Sequence, residues 1–78
     1  MKRKTAYNKI VAMIDEYSNT PVLSENSELK KDLDLDSLDI IDMAMEIEEE
    51  TQRKIDTKEI KKWFIVGDVV DSYLNKKK

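Results

Sequence analysis

The 78-residue chain has no cysteine, no histidine and a net charge of −3, so it has no disulfide or thiolate metal site to brace it. Most familiar catalytic schemes are excluded too, because the commonest general base and the usual triads need a histidine. With 40% hydrophobic residues, one glycine and one proline, it reads as a single domain over 1–78 built of helices with short connections.

No apolar run approaches the ~20 residues of a membrane span, and the basic start Met1-Lys2-Arg3-Lys4 leads into a polar stretch with no signal-peptide core. The expectation is a soluble, cytoplasmic monomer without membrane insertion. It should be ordered from about residue 5 to 74, with frayed basic tips.

The first predicted helix runs from Thr5 to Tyr17, where Tyr7, Ile10, Val11, Ile14 and Tyr17 form an amphipathic stripe. Ser18-Asn19-Thr20-Pro21 stops it, since proline disfavours helix at the residue before it. A long connection follows to about Leu35. Leu23, Leu29 and Leu33 are its expected core anchors, with one short helical turn near Glu28.

The second helix should start inside Asp32-Leu33-Asp34-Leu35-Asp36-Ser37-Leu38-Asp39. With Asp36 as N-cap, Asp39 falls at N3 and completes a capping box. With Ser37 as N-cap, N3 would be Ile40, which returns no hydrogen bond. Ser37 is therefore placed at N1 with its hydroxyl free, and the helix runs to about Thr51.

Asp56-Thr57-Lys58-Glu59 signals a short third helix ending near Trp63. The last helix, about Ile65 to Leu74, gathers Val66, Val69, Val70, Tyr73 and Leu74 on one side. Gly67 in its first turn reads either as close packing or as simple tolerance. Asn75 to Lys78 reads as a solvated tail.

Charge is unevenly spread. Asp32, Asp34, Asp36, Asp39, Asp42, Glu46, Glu48, Glu49 and Glu50 are followed or preceded by no base between 32 and 50, while bases gather at Lys30-Lys31, from Arg53 to Lys62 and at both tips. Such a field steers basic partners and repels nucleic acid. On a helical wheel the second helix is apolar over about 220°, roughly twice the ~100° that faces a core. Met43, Ile40, Ala44 and Ile47 form one arc; Leu38, Ile41 and Met45 form another, with Glu48 inside it. Either neighbours wrap both arcs, or the second arc is a docking stripe.

A serine at a helix start is most often a cap or a surface residue. A catalytic serine would need a base that this chain lacks. Asp32-x-Asp34-x-Asp36 matches the first positions of an EF-hand calcium loop. It then fails at Ser37, where glycine is needed, and at Met43, where glutamate is needed.

A third reading follows from resemblance. Asp32-Leu33-x-x-Asp36-Ser37-Leu38-Asp39, an acidic helix ending Glu48-Glu49-Glu50, Ile55 before a short helix, and Val66-Gly67-Asp68-Val69-Val70 together resemble the acyl carrier proteins over nearly the whole chain. The resemblance implies an all-α fold, a small four-helix bundle with a short third helix. It implies that Ser37 receives 4′-phosphopantetheine from coenzyme A through a phosphopantetheinyl transferase, and that an acyl chain travels as a thioester on that arm.

The protein would then be a non-catalytic carrier for fatty-acid or related polyketide and specialised-lipid biosynthesis. Asp36, Leu38, Asp39, Ile41, Asp42, Met45, Glu46, Glu48 and Glu49 would meet basic docking patches on acyl-processing enzymes. Departures from the family pattern are Asp34 for the usual glycine, Thr51 for a phenylalanine, Asp56 for a proline, Ile65 for a capping threonine, and the heavy pair Trp63-Phe64. An unmodified helical adaptor and a calcium-binding domain are the competing readings.

Overall fold

The computed structural model describes residues 2–74 and contains α1 (Arg3–Asp15), α2 (Ser37–Thr51), α3 (Thr57–Lys61) and α4 (Val66–Leu74). Among the described residues there is no strand beyond a single antiparallel bridge between Glu28 and Ile65. This is the expected four-helix bundle with a short third helix. The tail from Asn75 lies outside the described residues.

α1 sits two residues earlier than its expected bounds at both ends. It ends at Asp15 because Glu16 N–H turns onto Met13 O, while the N–H groups of Tyr17 and Ser18 close onto Ile14 O. Its buried face is Ala6, Ile10, Met13 and Ile14, and it packs most extensively on α4. In its first turn, the Arg3 guanidinium donates to Glu25 at 2.6 Å and to Asp71 at 2.6 Å. Those two hydrogen bonds push its pKa above the usual arginine value. The pairs are partly solvated, so they contribute modestly to stability.

The connection to α2 is ordered by backbone partners. Leu29 and Leu33 are buried as expected, but Leu23 is 84% exposed and anchors nothing. The buried Ser27 hydroxyl accepts the N–H groups of Leu23 and Ser24, closing a local turn, and Val22 packs partly against the core instead. The turn expected near Glu28 spans 28–32. Asp32 N–H donates to Glu28 O at 3.0 Å, and Asp32 Oδ2 accepts from Glu28 N at 2.8 Å.

The same connection caps α4. The first N–H groups of a helix have no partner within it; here Val66 N donates to Ser27 O at 3.0 Å and Gly67 N to Glu25 O at 2.8 Å. Ile65, expected to be helical, is instead held in the bridge to Glu28. Gly67 packs closely against the connection, since a Cβ there would lie 3.2 Å from Glu25 Oε1 and 3.4 Å from Glu25 O. Trp63 is buried beneath α4, with its Nε1 donating to Ser72 Oγ at 2.8 Å. α3, expected to reach Trp63, ends at Lys61.

Candidate functional site

The approach to Ser37 is fixed by two acids. Asp34 has φ of 56°, the left-handed region where glycine is easiest and aspartate is among the better-tolerated alternatives. The glycine usual here in the carrier proteins that the sequence resembles would suit the same left-handed backbone. Two residues on, Asp36 Oδ1 accepts Asp39 N–H at 2.9 Å and Asp39 Oδ2 accepts Asp36 N–H at 3.2 Å. The capping box is complete, and its caps are the two aspartates.

Ser37 is therefore the first residue of α2, exposed, with its hydroxyl in no hydrogen bond among the described residues. Beside it opens a cleft of about 440 Å³ between α2 and α3. Ile40, Ile41, Ile60 and Trp63 supply its apolar lining, the Ser37 and Thr57 side chains border it, and Lys30 and Lys61 complete it. Its volume is within the range of ordinary ligand pockets. Sequence reasoning identified Ser37 but not the cleft. Trp63, an indole in a small acidic helical chain, was the one available signal.

Along the outer surface of α2, Leu38 is 72%, Met45 57% and Ile41 46% exposed, while Ile40, Met43, Ala44 and Ile47 are buried. The second apolar arc of the wheel is uncovered. Among the acids, Asp42 and Glu49 are exposed, and neither carboxylate takes a hydrogen bond among the described residues. Asp36 and Asp39 are held in the cap. Glu48, half-buried, accepts Ile55 N–H at 2.6 Å and so fixes the turn after α2.

Glu46 accepts the Tyr17 hydroxyl, and Glu50 accepts the Tyr73 hydroxyl at 2.7 Å. The bond to Glu46, helped by desolvation, pushes the Tyr17 pKa up to about 12. Burial, helped by Glu50, pushes Tyr73 up to about 12.

The EF-hand-like acids do not converge. Asp32 and Asp36 each turn a carboxylate oxygen to a backbone N–H, and among the described residues no group of three or more His, Asp or Glu side chains is placed to hold a metal ion.

A family model described as "Phosphopantetheine attachment site" matches residues 8–64, which include Ser37, the cleft lining and the exposed stripe of α2. The chain is also 35% identical over 77 residues to the acyl carrier protein of Thermotoga maritima, covering 96% of this chain and 94% of that one. The chain belongs to the acyl carrier protein family. It is similar as well to the mitochondrial acyl carrier protein 3 of Arabidopsis thaliana, 33% identical over 87% of this chain and 53% of that one. Acyl carrier protein 2 of Ralstonia nicotianae is 40% identical over 62% of this chain and 59% of that one. An acyl carrier role follows, with a covalently attached 4′-phosphopantetheine as prosthetic group and acyl-processing enzymes as partners.

The residues of the carrier fit that group. The attachment chemistry needs an accessible hydroxyl free of internal bonds. Ser37 offers one because Asp36 has taken over the capping that a serine in this setting usually performs.

Proposed function

We propose that Ser37 is the attachment point of the 4′-phosphopantetheine arm, and that the protein is a non-catalytic shuttle serving fatty-acid or related polyketide and specialised-lipid biosynthesis. The observation that carries this reading is the uncommitted Ser37 hydroxyl at N1 of α2, beside an apolar cleft. When bound, the group supplies a thiol that holds acyl cargo as a thioester.

The chain's own residues do the rest. The positive end of the α2 dipole and the free N–H groups of its first turn favour a phosphodiester at Ser37. Ile40, Ile41, Ile60 and Trp63 offer a place where the apolar part of a short acyl chain avoids water.

Leu38, Ile41 and Met45 form the docking stripe next to the tether. Asp42 and Glu49 steer basic patches of partner enzymes towards it. Asp36, Asp39, Glu46 and Glu48 add to the same field while also holding the fold. Such charges act mainly on encounter rate and specificity. No helix among the described residues is long and apolar enough to cross a membrane, which suits a carrier that diffuses between enzymes.

Intact-mass spectrometry after incubation with coenzyme A and a phosphopantetheinyl transferase tests the tether. The unmutated protein should gain the mass of one arm, and Ser37→Ala should fold normally and gain none. Persistent lack of modification with transferases of different specificity, or modification of Ser37→Ala, would overturn the assignment.

A further inference from the structure

The cleft beside Ser37 carries the opposite sign from the helix that forms one side of it. From Asp32 to Glu50 the chain has nine acids and no base. Yet the cleft lining includes two cations, Lys30 and Lys61, and no carboxylate. Lys30 lies in the turn after Glu28, and Lys61 is the last residue of α3. The bond from Leu29 N to Phe64 O, 3.0 Å, fastens the backbone beside one lysine to the backbone just beyond the other.

Neither ammonium is neutralised locally. Among the described residues the ion pairs are those of Arg3, with Glu25 and Asp71. Both lysines are exposed, and a lysine in such a lining can lay its stem along the apolar wall while its ammonium stays in water.

This arrangement is poorly used by a wholly apolar chain. It gives such a chain nothing to pair with, and burying the lysine stems more deeply would draw charge away from water. A chain that is apolar along its length and anionic at its end fits both parts. Its methylenes can lie on Ile40, Ile60 and Trp63, and its terminal carboxylate can remain at the wet rim in a charge-assisted hydrogen bond.

Resting on the carrier reading above, we infer that the cleft selects carboxyacyl cargo, with Lys30 and Lys61 receiving the terminal carboxylate. The nearby acids then have a further consequence. A carboxylate that strays from the lysines meets the negative field of α2, so the cargo is confined to the cleft by repulsion as well as by attraction.

The experiment uses a phosphopantetheinyl transferase to load the full-length protein from hexanoyl- and adipoyl-coenzyme A, with adenosine 3′,5′-bisphosphate as the leaving group; the two chains are of equal length and only the second ends in a carboxyl group. Mass spectrometry first confirms loading, and a thermal melt confirms that the Lys30→Gln/Lys61→Gln double variant is folded. If nothing loads, the Ser37 assignment fails, which is a separate outcome from those below. On loaded protein, 13C NMR of a labelled adipoyl carboxyl group follows its titration, and Trp63 fluorescence reports occupancy of the cleft.

The carboxyl pKa should lie at least about half a unit below that of free adipoyl-pantetheine, because a nearby ammonium favours the ionised form. The double variant should abolish that shift and the adipoyl-dependent Trp63 signal, while leaving hexanoyl-loaded protein unchanged. A carboxyl pKa equal to the free value overturns the inference. So does an identical response of both cargoes to the lysine substitutions, or a lysine-dependent 31P shift that is the same with and without cargo, which would place the lysines on the arm's phosphodiester.

Discussion

α2 carries two apolar arcs of similar chemistry and opposite fate. Ile40, Met43, Ala44 and Ile47 join the buried cluster with Ile10, Ile14 and Val70, whereas Leu38, Ile41 and Met45 meet solvent. Hydrophobicity put both arcs on the helix. Only the presence of an opposing element decided which became core. This exposed stripe beside the proposed attachment residue is the docking surface we propose, since isolated exposed leucines are ordinary but contiguous ones are not.

The largest effect that could break this contrast is in the core arc. Ile47→Ala should cost ~2–5 kcal/mol in a denaturant melt, as for other large-to-small changes at fully buried sites. Met45→Ala should stay within ~0.5 kcal/mol of the parent, as surface changes do, while slowing acyl transfer to a partner enzyme. Equal destabilisation by the two, with transfer unchanged, would show that the outer arc is structural after all.

A smaller effect separates neighbouring acids. Glu48→Lys removes the acceptor for Ile55 N–H and should cost ~1–3 kcal/mol, the penalty of leaving a buried donor unpaired. Glu49→Lys should leave the melt nearly unchanged yet lower the association rate with a basic partner, more at low salt than at high salt. If both variants melt alike, the half-buried bond of Glu48 contributes little, and the two acids are equivalent steering charges.

The smallest effect appears only in alkali. Tyr17 and Tyr73 hold their protons to about pH 12 in the folded protein, while in the unfolded chain they titrate near the ordinary ~10. Above about pH 10 the unfolded chain therefore binds fewer protons, so stability falls from there to about pH 12. Tyr17→Phe should flatten part of that fall in melts collected across the range, and an unchanged slope would exclude the Tyr17–Glu46 bond as its source.

Local chemistry was the legible part of this sequence. The start of α2 could be placed to the residue because Asp36 and Asp39 specify each other across three positions, and the place of Ser37 followed. α4 was nearly as plain, its valines recurring on one face. What sequence did not disclose depended on distant partners. Leu23 reads as an anchor by composition, yet the Ser27 hydroxyl turns the backbone so that Val22 faces inward instead.

The value of Gly67 rests on Glu25, more than forty residues away in the chain, and the bridge from Ile65 to Glu28 is likewise a pairing that periodicity cannot see. The cleft was hidden for the same reason. Lys30 in the first connection, and Ile60 and Trp63 in and just after α3, belong to two segments distinct from α2, and only tertiary packing brings them to Ser37.

The Arg3 clasp has a consequence for how the molecule is made. Its two carboxylate partners lie 22 and 68 positions further along the chain, and α1 finds its main packing partner in α4. During synthesis the first helix must therefore wait for almost everything that follows before it can bury Ile10 and Ile14. α2 can form its capping box as soon as it leaves the ribosome, since that needs only neighbouring residues. The Arg3 clasp on Asp71, 68 positions on, is therefore available only to a nearly complete chain, whereas the cap of α2 depends on neighbouring residues alone.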